Sequence, residues 1–164
     1  MAYSQCLKVE KTRSFFFIDP EFRAVIPIIN FHISKSLLRL VKKRPFKITI
    51  NKAFPDVIRS CATINRTETW INKEIENLFI SLYKMKQAHS VECWQDNQLV
   101  GGIYGLAIGG VFFAESMFSR VPNGSKVALL NLSPVHVAHE HRSLGLNPNL
   151  NQQILIMSLR PIVF

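Results

Sequence analysis

The chain is poor in acid. Its 11 Asp and Glu stand against 20 Lys and Arg, a formal net charge of +9, and no aspartate follows Asp96. Such a balance favours polyanionic partners, nucleic acid or an anionic membrane face, over the plainer alternative of a protein that is merely basic only when other features agree. Cysteine is also scarce: Cys6, Cys61 and Cys93 lie far apart, with no C-x-x-C or Cys/His ligand spacing. That argues against a disulfide framework and a zinc site and fits a reducing compartment, so a cytoplasmic protein without metal is expected. No apolar run is long enough to span a bilayer. Residues 99–114 carry no charge, yet they fall short of the roughly 20 residues needed and hold several glycines, so they read as buried strand and no membrane partner is expected. The first dozen residues carry Lys8, Glu10 and Lys11 without an apolar stretch, which shows no leader pattern. Repeats and low-complexity tracts are missing, and so is a glycine-rich pyrophosphate loop before a helix, which speaks against a coenzyme A-dependent acetyltransferase.

What is present is a globular composition, 48% hydrophobic and 19% charged over 164 residues, enough for one domain or two small ones sharing a core. Residues 101–119, GGIYGLAIGGVFFAESMFS, are the most informative segment. Two apolar runs flank Gly109-Gly110 and predict a β-hairpin. Its second arm presents Glu115 between Ala114 and Ser116, and a carboxylate in so apolar a strand is costly to bury unless paired. Glu115 is therefore a candidate site residue, the plainer reading being a partner for a buried Arg120 or Lys126.

The rest of the chain organises around this hairpin. Residues 25–31 read as an extended or edge segment. Residues 32–44 predict a helix stopped by Pro45, with Ile33, Leu37, Leu40 and Val41 on one stripe and Lys35, Arg39, Lys42 and Lys43 on the opposite one. Four cations on one face suit several phosphates, or are simply solvated; the pattern alone does not choose. A strand over 46–50 and a short helix carrying Phe54, Val57, Ile58 and Cys61 follow. Residues 63–69 are polar and mark a boundary between a region 1–65 and a region 66–164. Asn72 caps a helix with an apolar face of Ile75, Leu78, Phe79, Leu82 and Tyr83. A strand at 89–94, a turn at Asp96-Asn97 and a helix beginning near Lys126 complete a mixed α/β (α+β) fold.

The hairpin wording GG-Y-G…FF-ESMFS, the stretch FHISKSLLRLVKKRPFKIT, and the groups Ala53-Phe54, Val57-Ile58, Cys61-Ala62, Thr69-Trp70-Ile71, Ala88 to Glu92 and Asn123 to Lys126 together resemble the leucyl/phenylalanyl-tRNA–protein transferases. The resemblance runs from about Asp19 to Leu130. It implies a small N-terminal α/β region followed by an acyl-CoA N-acyltransferase-like (GNAT-like) mixed sheet. It implies an aminoacyltransferase that moves leucine, phenylalanine or methionine from aminoacyl-tRNA to an N-terminal Arg or Lys of acceptor proteins, marking them for degradation by the N-end rule, without a cofactor and as a monomer. By position, it implies that Lys35, Arg39, Lys42 and Lys43 hold the tRNA acceptor stem. It also implies that Ile103, Phe112, Met117 and Leu129 receive the carried side chain. Trp70 reads as core or pocket wall, and Glu115 suits the carboxylate that receives or orients the α-ammonium in such a reaction. His89 reads as a structural histidine.

The resemblance also fails in places. The family's L-I-D-x-Q segment has no counterpart after Leu130, and its aspartate, assigned to the acceptor amine, has none after Asp96. His141-Arg142-Ser143-Leu144-Gly145 is similar to a family H-x-x-S-L-G but arrives early, as an internal deletion or a shifted reading frame would produce. The Gly-Gly-Asp-Leu segment is missing before Phe15. An atypical member is expected, with an incomplete sheet and impaired transfer; the alternative is a basic RNA-binding protein without catalysis.

Overall fold

The computed structural model describes residues 24–27, 32–108, 111–132 and 154–157. Along them run β1 (Ala24–Pro27), α1 (Lys35–Lys42), β2 (Lys47–Ile50), α2 (Phe54–Thr63), α3 (Lys73–Lys84), β3 (Ala88–Gln95), β4 (Gln98–Ile108), β5 (Val111–Ser119), α4 (Gly124–Leu130) and β6 (Ile154–Met157). The strands form one sheet in the order β1-β6-β5-β4-β3-β2. Strands β2 to β5 are antiparallel neighbours, while β6 lies parallel to β5, so the sheet is mixed as the element order implies.

Two hairpins build its centre. The first turns on Asp96 and Asn97, both at positive φ (50° and 60°), the backbone that a tight two-residue turn of type I′ requires. The second joins β4 to β5, which pair from Ile108↔Val111 to Gly101↔Ser119. Gly109 and Gly110 lie outside the described residues, as do Asp19-Pro20 and the 141–145 segment. Proline at the end of β1 is accommodated because β1 is an edge strand bonded to β6 alone.

Alternation along the strands divides the apolar side chains between two faces. One face gathers Val91, Cys93, Ile103, Phe112 and Ala114 beneath Val127 and Ala128 of α4 and beside Leu37, Leu40 and Val41 of α1. The other gathers Ala88, Tyr104 and Phe118 beneath Phe54, Val57, Ile58 and Cys61 of α2 and Phe79 of α3. The rings of Phe54 and Tyr83 stack at 4.6 Å, and Tyr104 meets Phe54 and Phe79 edge-on, which locks α2 and α3 to this face. The result is a three-layer arrangement, α1 and α4 on one side of the sheet and α2 and α3 on the other.

The elements differ from the sequence expectation mainly at their ends. Helix α1 is shorter than 32–44. Ser34 caps it by accepting the Leu37 N–H, and Arg44, ahead of Pro45, leaves the helical region at φ 48°. Ile33 therefore precedes the helix and is exposed rather than part of its apolar stripe. Leu78 likewise points outward from α3, while Asn72 caps that helix as expected. Residues 63–69 connect α2 to α3, and the sheet runs across them, since β2 pairs with β3.

Candidate functional site

The site begins with a break in pairing. Tyr104 faces Ser116 and Gly105 faces Ala114, so Glu115 is an extra residue with no opposite number on β4. This β-bulge changes the parity of β5. Phe112 and Ala114 lie on the α1/α4 face, and so does Met117, three residues on, which regular alternation would have sent to the other side. Glu115, the extra residue, lies two positions before Met117 and is half-buried. Arg120 and Lys126, the cations considered for burying it, are both exposed.

The bulge thus sets Glu115 in the strand between Phe112 and Met117, which with Ile103 (fully buried) and Leu129 belong to or pack against one apolar cluster. Trp70 is not brought to them. It packs with the cluster under α2 and α3, on the far side of the sheet. An apolar cluster edged by one carboxylate can hold an amino acid by its side chain and its ammonium together.

Lys35, Arg39, Lys42 and Lys43 all lie exposed on α1 and its C-cap. Their spacing sets them on one face, away from Leu37, Leu40 and Val41, which turn toward the sheet. Lys43 is the C-cap residue and keeps right-handed helical dihedrals, so the stripe continues through it. None of the four forms an ion pair among the described residues, where the ion pairs involve Arg59 and Lys73 instead.

Two groups escaped the sequence reading. The first is Glu92, wholly buried on β3. Its carboxylate accepts the hydroxyls of Thr49 and Ser90, each at 2.5 Å, and longer contacts from the N–H of Ala53 (3.4 Å) and Lys52 (3.5 Å) ahead of α2. Thr49 in turn accepts Trp94 Nε1–H at 2.7 Å. Beside it, Asn51 accepts the Ser90 N–H through Oδ1 and donates through Nδ2 to His89 Nδ1 at 2.9 Å, so His89 has the structural role expected of it. The signal that singled out Glu115, a charge inside an apolar strand, was equally present at Glu92. The second group is Arg66, which donates to Ser116 Oγ at 3.0 Å, next to the bulge.

Cys61 and Cys93 are free and buried, and burial pushes each thiol up to about 12. For Cys93 the neighbouring Glu92 charge adds to this; for Cys61 a bond to Ser116 and the Arg66 charge oppose it. Both thiols stay protonated at neutral pH and do not supply a nucleophile. Among the described residues no three His, Cys, Asp or Glu side chains converge to hold a metal ion. No helix among them is long and apolar enough to cross a membrane.

The family model described as leucyl/phenylalanyl-tRNA protein transferase matches residues 25–147. The match runs past Leu130, where the motifs seemed to stop, and takes in the 141–145 segment. Proteins named leucyl/phenylalanyl-tRNA–protein transferase from Rhodospirillum rubrum and Phenylobacterium zucineum are each 55% identical over 119 residues, 71% of this chain and 56% and 54% of their own lengths. One from Hyphomonas neptunium is 44% identical over 146 residues, 86% of this chain and 57% of its own. The chain spans a little over half the length of these curated relatives. A solved structure of a functionally unknown conserved protein from Staphylococcus epidermidis aligns over 78% of this chain and 57% of its own at 12% identity and a TM-score of 0.32, too distant to bear on the fold. The family model covers most of the chain and the relatives share about half of its residues over more than two thirds of its length, and on that ground this chain belongs to the leucyl/phenylalanyl-tRNA–protein transferase family.

Proposed function

We propose that this chain binds aminoacyl-tRNA and passes its amino acid to the N-terminal amine of an acceptor protein. Leucine, phenylalanine or methionine is the cargo, an N-terminal Arg or Lys is the acceptor, and the product is marked for degradation. The observation that supports this reading is the bulge at Glu115, in the strand that contributes Phe112 and Met117 to one apolar cluster with Ile103.

The chemistry asks little of the protein beyond positioning. The acceptor nitrogen attacks the ester carbonyl, a C–N bond forms, the C–O bond to the ribose breaks, and the amine's proton ends on the ribose oxygen. An ester becomes an amide, which is downhill, so no covalent intermediate is needed. The apolar cluster holds the cargo by its side chain, and Met117 adapts to more than one shape. Glu115 pairs with the cargo's α-ammonium, turning the ester toward the incoming amine. Lys35, Arg39, Lys42 and Lys43 take the RNA phosphates. The protein acts as a monomer in the cytoplasm.

No aspartate stands anywhere in 97–164, so the acceptor-amine step lacks the acid that the family resemblance assigns to it. We therefore place transfer below RNA binding in this chain. A second reading, RNA binding without catalysis, is favoured by the same observation. The test is Glu115→Gln, assayed with leucyl-tRNA and an Arg-leading peptide. Under the first reading transfer disappears while tRNA binding stays. Absence of transfer in the unaltered chain, with tRNA still bound, establishes the second. Transfer undiminished in Glu115→Gln overturns the role given to Glu115.

A further inference from the structure

Beyond the α1 stripe, the structure gathers a second set of cations around Ser119, at the end of β5. Asn65, held at φ 54°, donates its side-chain amide to the Ser119 carbonyl at 3.2 Å, which fixes the loop after α2. The next residue, Arg66, is anchored by Ser116 Oγ. Arg120 directly follows Ser119, and its N–H is bonded to Val100 O at 2.7 Å. From the third side, the Ser119 hydroxyl accepts the Ser125 N–H at 3.0 Å, which brings α4 and Lys126 to the same place. Arg66, Arg120 and Lys126 are all exposed, and among the described residues none of them is in an ion pair.

We infer that Arg66, Arg120 and Lys126 form a second phosphate-binding patch, which takes the RNA backbone close to the aminoacylated end. Three features separate it from an ordinary solvated surface. The cations come from three separate segments that the fold brings together at the end of β5: the neighbours of Arg66 and Lys126 bond Ser119, Arg120 follows it, and Arg66 itself is held at Ser116. Arg66 is already immobilised by one donor, which leaves four N–H groups for a ligand and lowers the conformational entropy lost on binding. Ser119, around which these segments gather, also ends the strand that carries Glu115, four residues further on, about 13 Å at roughly 3.3 Å per residue. A phosphodiester chain whose ester end sits at Glu115 meets this patch before it can reach a distant surface. The inference rests on the proposed function for its ligand, and its test is arranged to fail separately.

The experiment measures association of the full chain with unacylated tRNA across a salt series. The triple variant Arg66→Gln/Arg120→Gln/Lys126→Gln is compared with a stripe variant, Lys35→Gln/Arg39→Gln/Lys42→Gln/Lys43→Gln. The patch variant is expected to weaken binding about tenfold in dilute salt and to reduce the steepness of log K against log salt by about two, since each lost phosphate contact removes roughly 0.7–0.9. Ser116→Ala, which frees Arg66 without removing its charge, is expected to cost less than the triple variant. Should the triple variant fail to fold, Arg120→Gln and Lys126→Gln, both at exposed positions, carry the test singly. If the stripe variant weakens binding and the patch variants do not, the patch inference is overturned and the proposed function stands. If neither changes binding, both are overturned. If the patch variant loses affinity for anionic phosphatidylserine vesicles but not for tRNA, the ligand class is wrong and the inference falls.

Discussion

The carboxylate of Glu92 and the hydroxyl of Thr49 face each other across the β2–β3 pairing at 2.5 Å, with Glu92 wholly shielded from solvent. This contact joins the edge strand to the start of α2, because the same carboxylate reaches the N–H groups of Lys52 and Ala53. A buried charge so placed is supported by donors alone, and each donor is in turn committed to it.

Glu92→Ala is accordingly expected to be among the most damaging single substitutions. It opens a cavity, leaves the buried Ser90 hydroxyl without its acceptor and takes the acceptor from half-buried Thr49, costing about 3 kcal/mol. Glu92→Gln keeps the volume but turns an NH2 toward one of the donors, so it is expected to cost roughly 1–2 kcal/mol. Urea denaturation of the three proteins checks this; an alanine variant as stable as the parent refutes the role.

Gly101 supplies the second prediction. A Cβ there would lie 2.6 Å from the Gly124 carbonyl carbon, with only backbone to yield, because α4 starts directly against β4. Gly102, its neighbour, would meet the Phe118 ring at 3.0 Å, and a side chain can move. Gly101→Ala is therefore expected to cost about 3 kcal/mol, and Gly102→Ala clearly less. Thermal midpoints of the two variants decide it, and equal losses would show that α4 shifts freely.

These cases show which parts of the molecule local pattern can reveal. The helices around Leu37, Val57 and Phe79, the Asp96-Asn97 turn and the two arms of the hairpin were legible because each rests on a period of apolar residues or on turn chemistry within a few positions. Glu115 was legible as a charge out of place, but the bulge at it was not. That depends on a pairing slip against Gly105, which has no local signature. For Trp70, sequence does not choose between core and pocket wall, because sequence distance says nothing of which side of a sheet a loop returns to; the ring packs with the cluster under α2 and α3. Arg66 and Ser116 meet only through the fold, fifty residues apart.

The α1 stripe gives a prediction that needs no catalysis. Charge reversal of Lys35, Arg39 and Lys42 to Glu leaves Leu37, Leu40 and Val41 untouched but puts acid in the last turn of α1, so folding is expected to lose no more than about 1–2 kcal/mol. Affinity for tRNA is expected to fall at least about tenfold in dilute salt, with a shallower salt dependence. Filter binding across a salt series, beside circular dichroism to confirm the fold, measures both. Unchanged affinity would remove the helix from the RNA site.

Acid should loosen the contact between α2 and α3. Glu76 on α3 accepts from Arg59 of α2 at 2.8 Å and from Lys73 at 3.0 Å. The Arg59 hydrogen bond first, and Lys73 after it, hold the Glu76 carboxyl below its usual 4.5, against the opposing effect of burial. A carboxyl lowered in the folded state adds stability that is complete above its unfolded value and is lost as pH falls through the folded one. The loss therefore begins as pH nears 4.5 and is complete only below it. Arg59 is largely exposed, so solvent screening keeps the contribution small. Glu76→Gln is expected to lower stability slightly at pH 7 and to flatten the decline as pH falls through and below 4.5. Chemical denaturation at several pH values compares the two, and parallel curves would place the bridge outside the acid response.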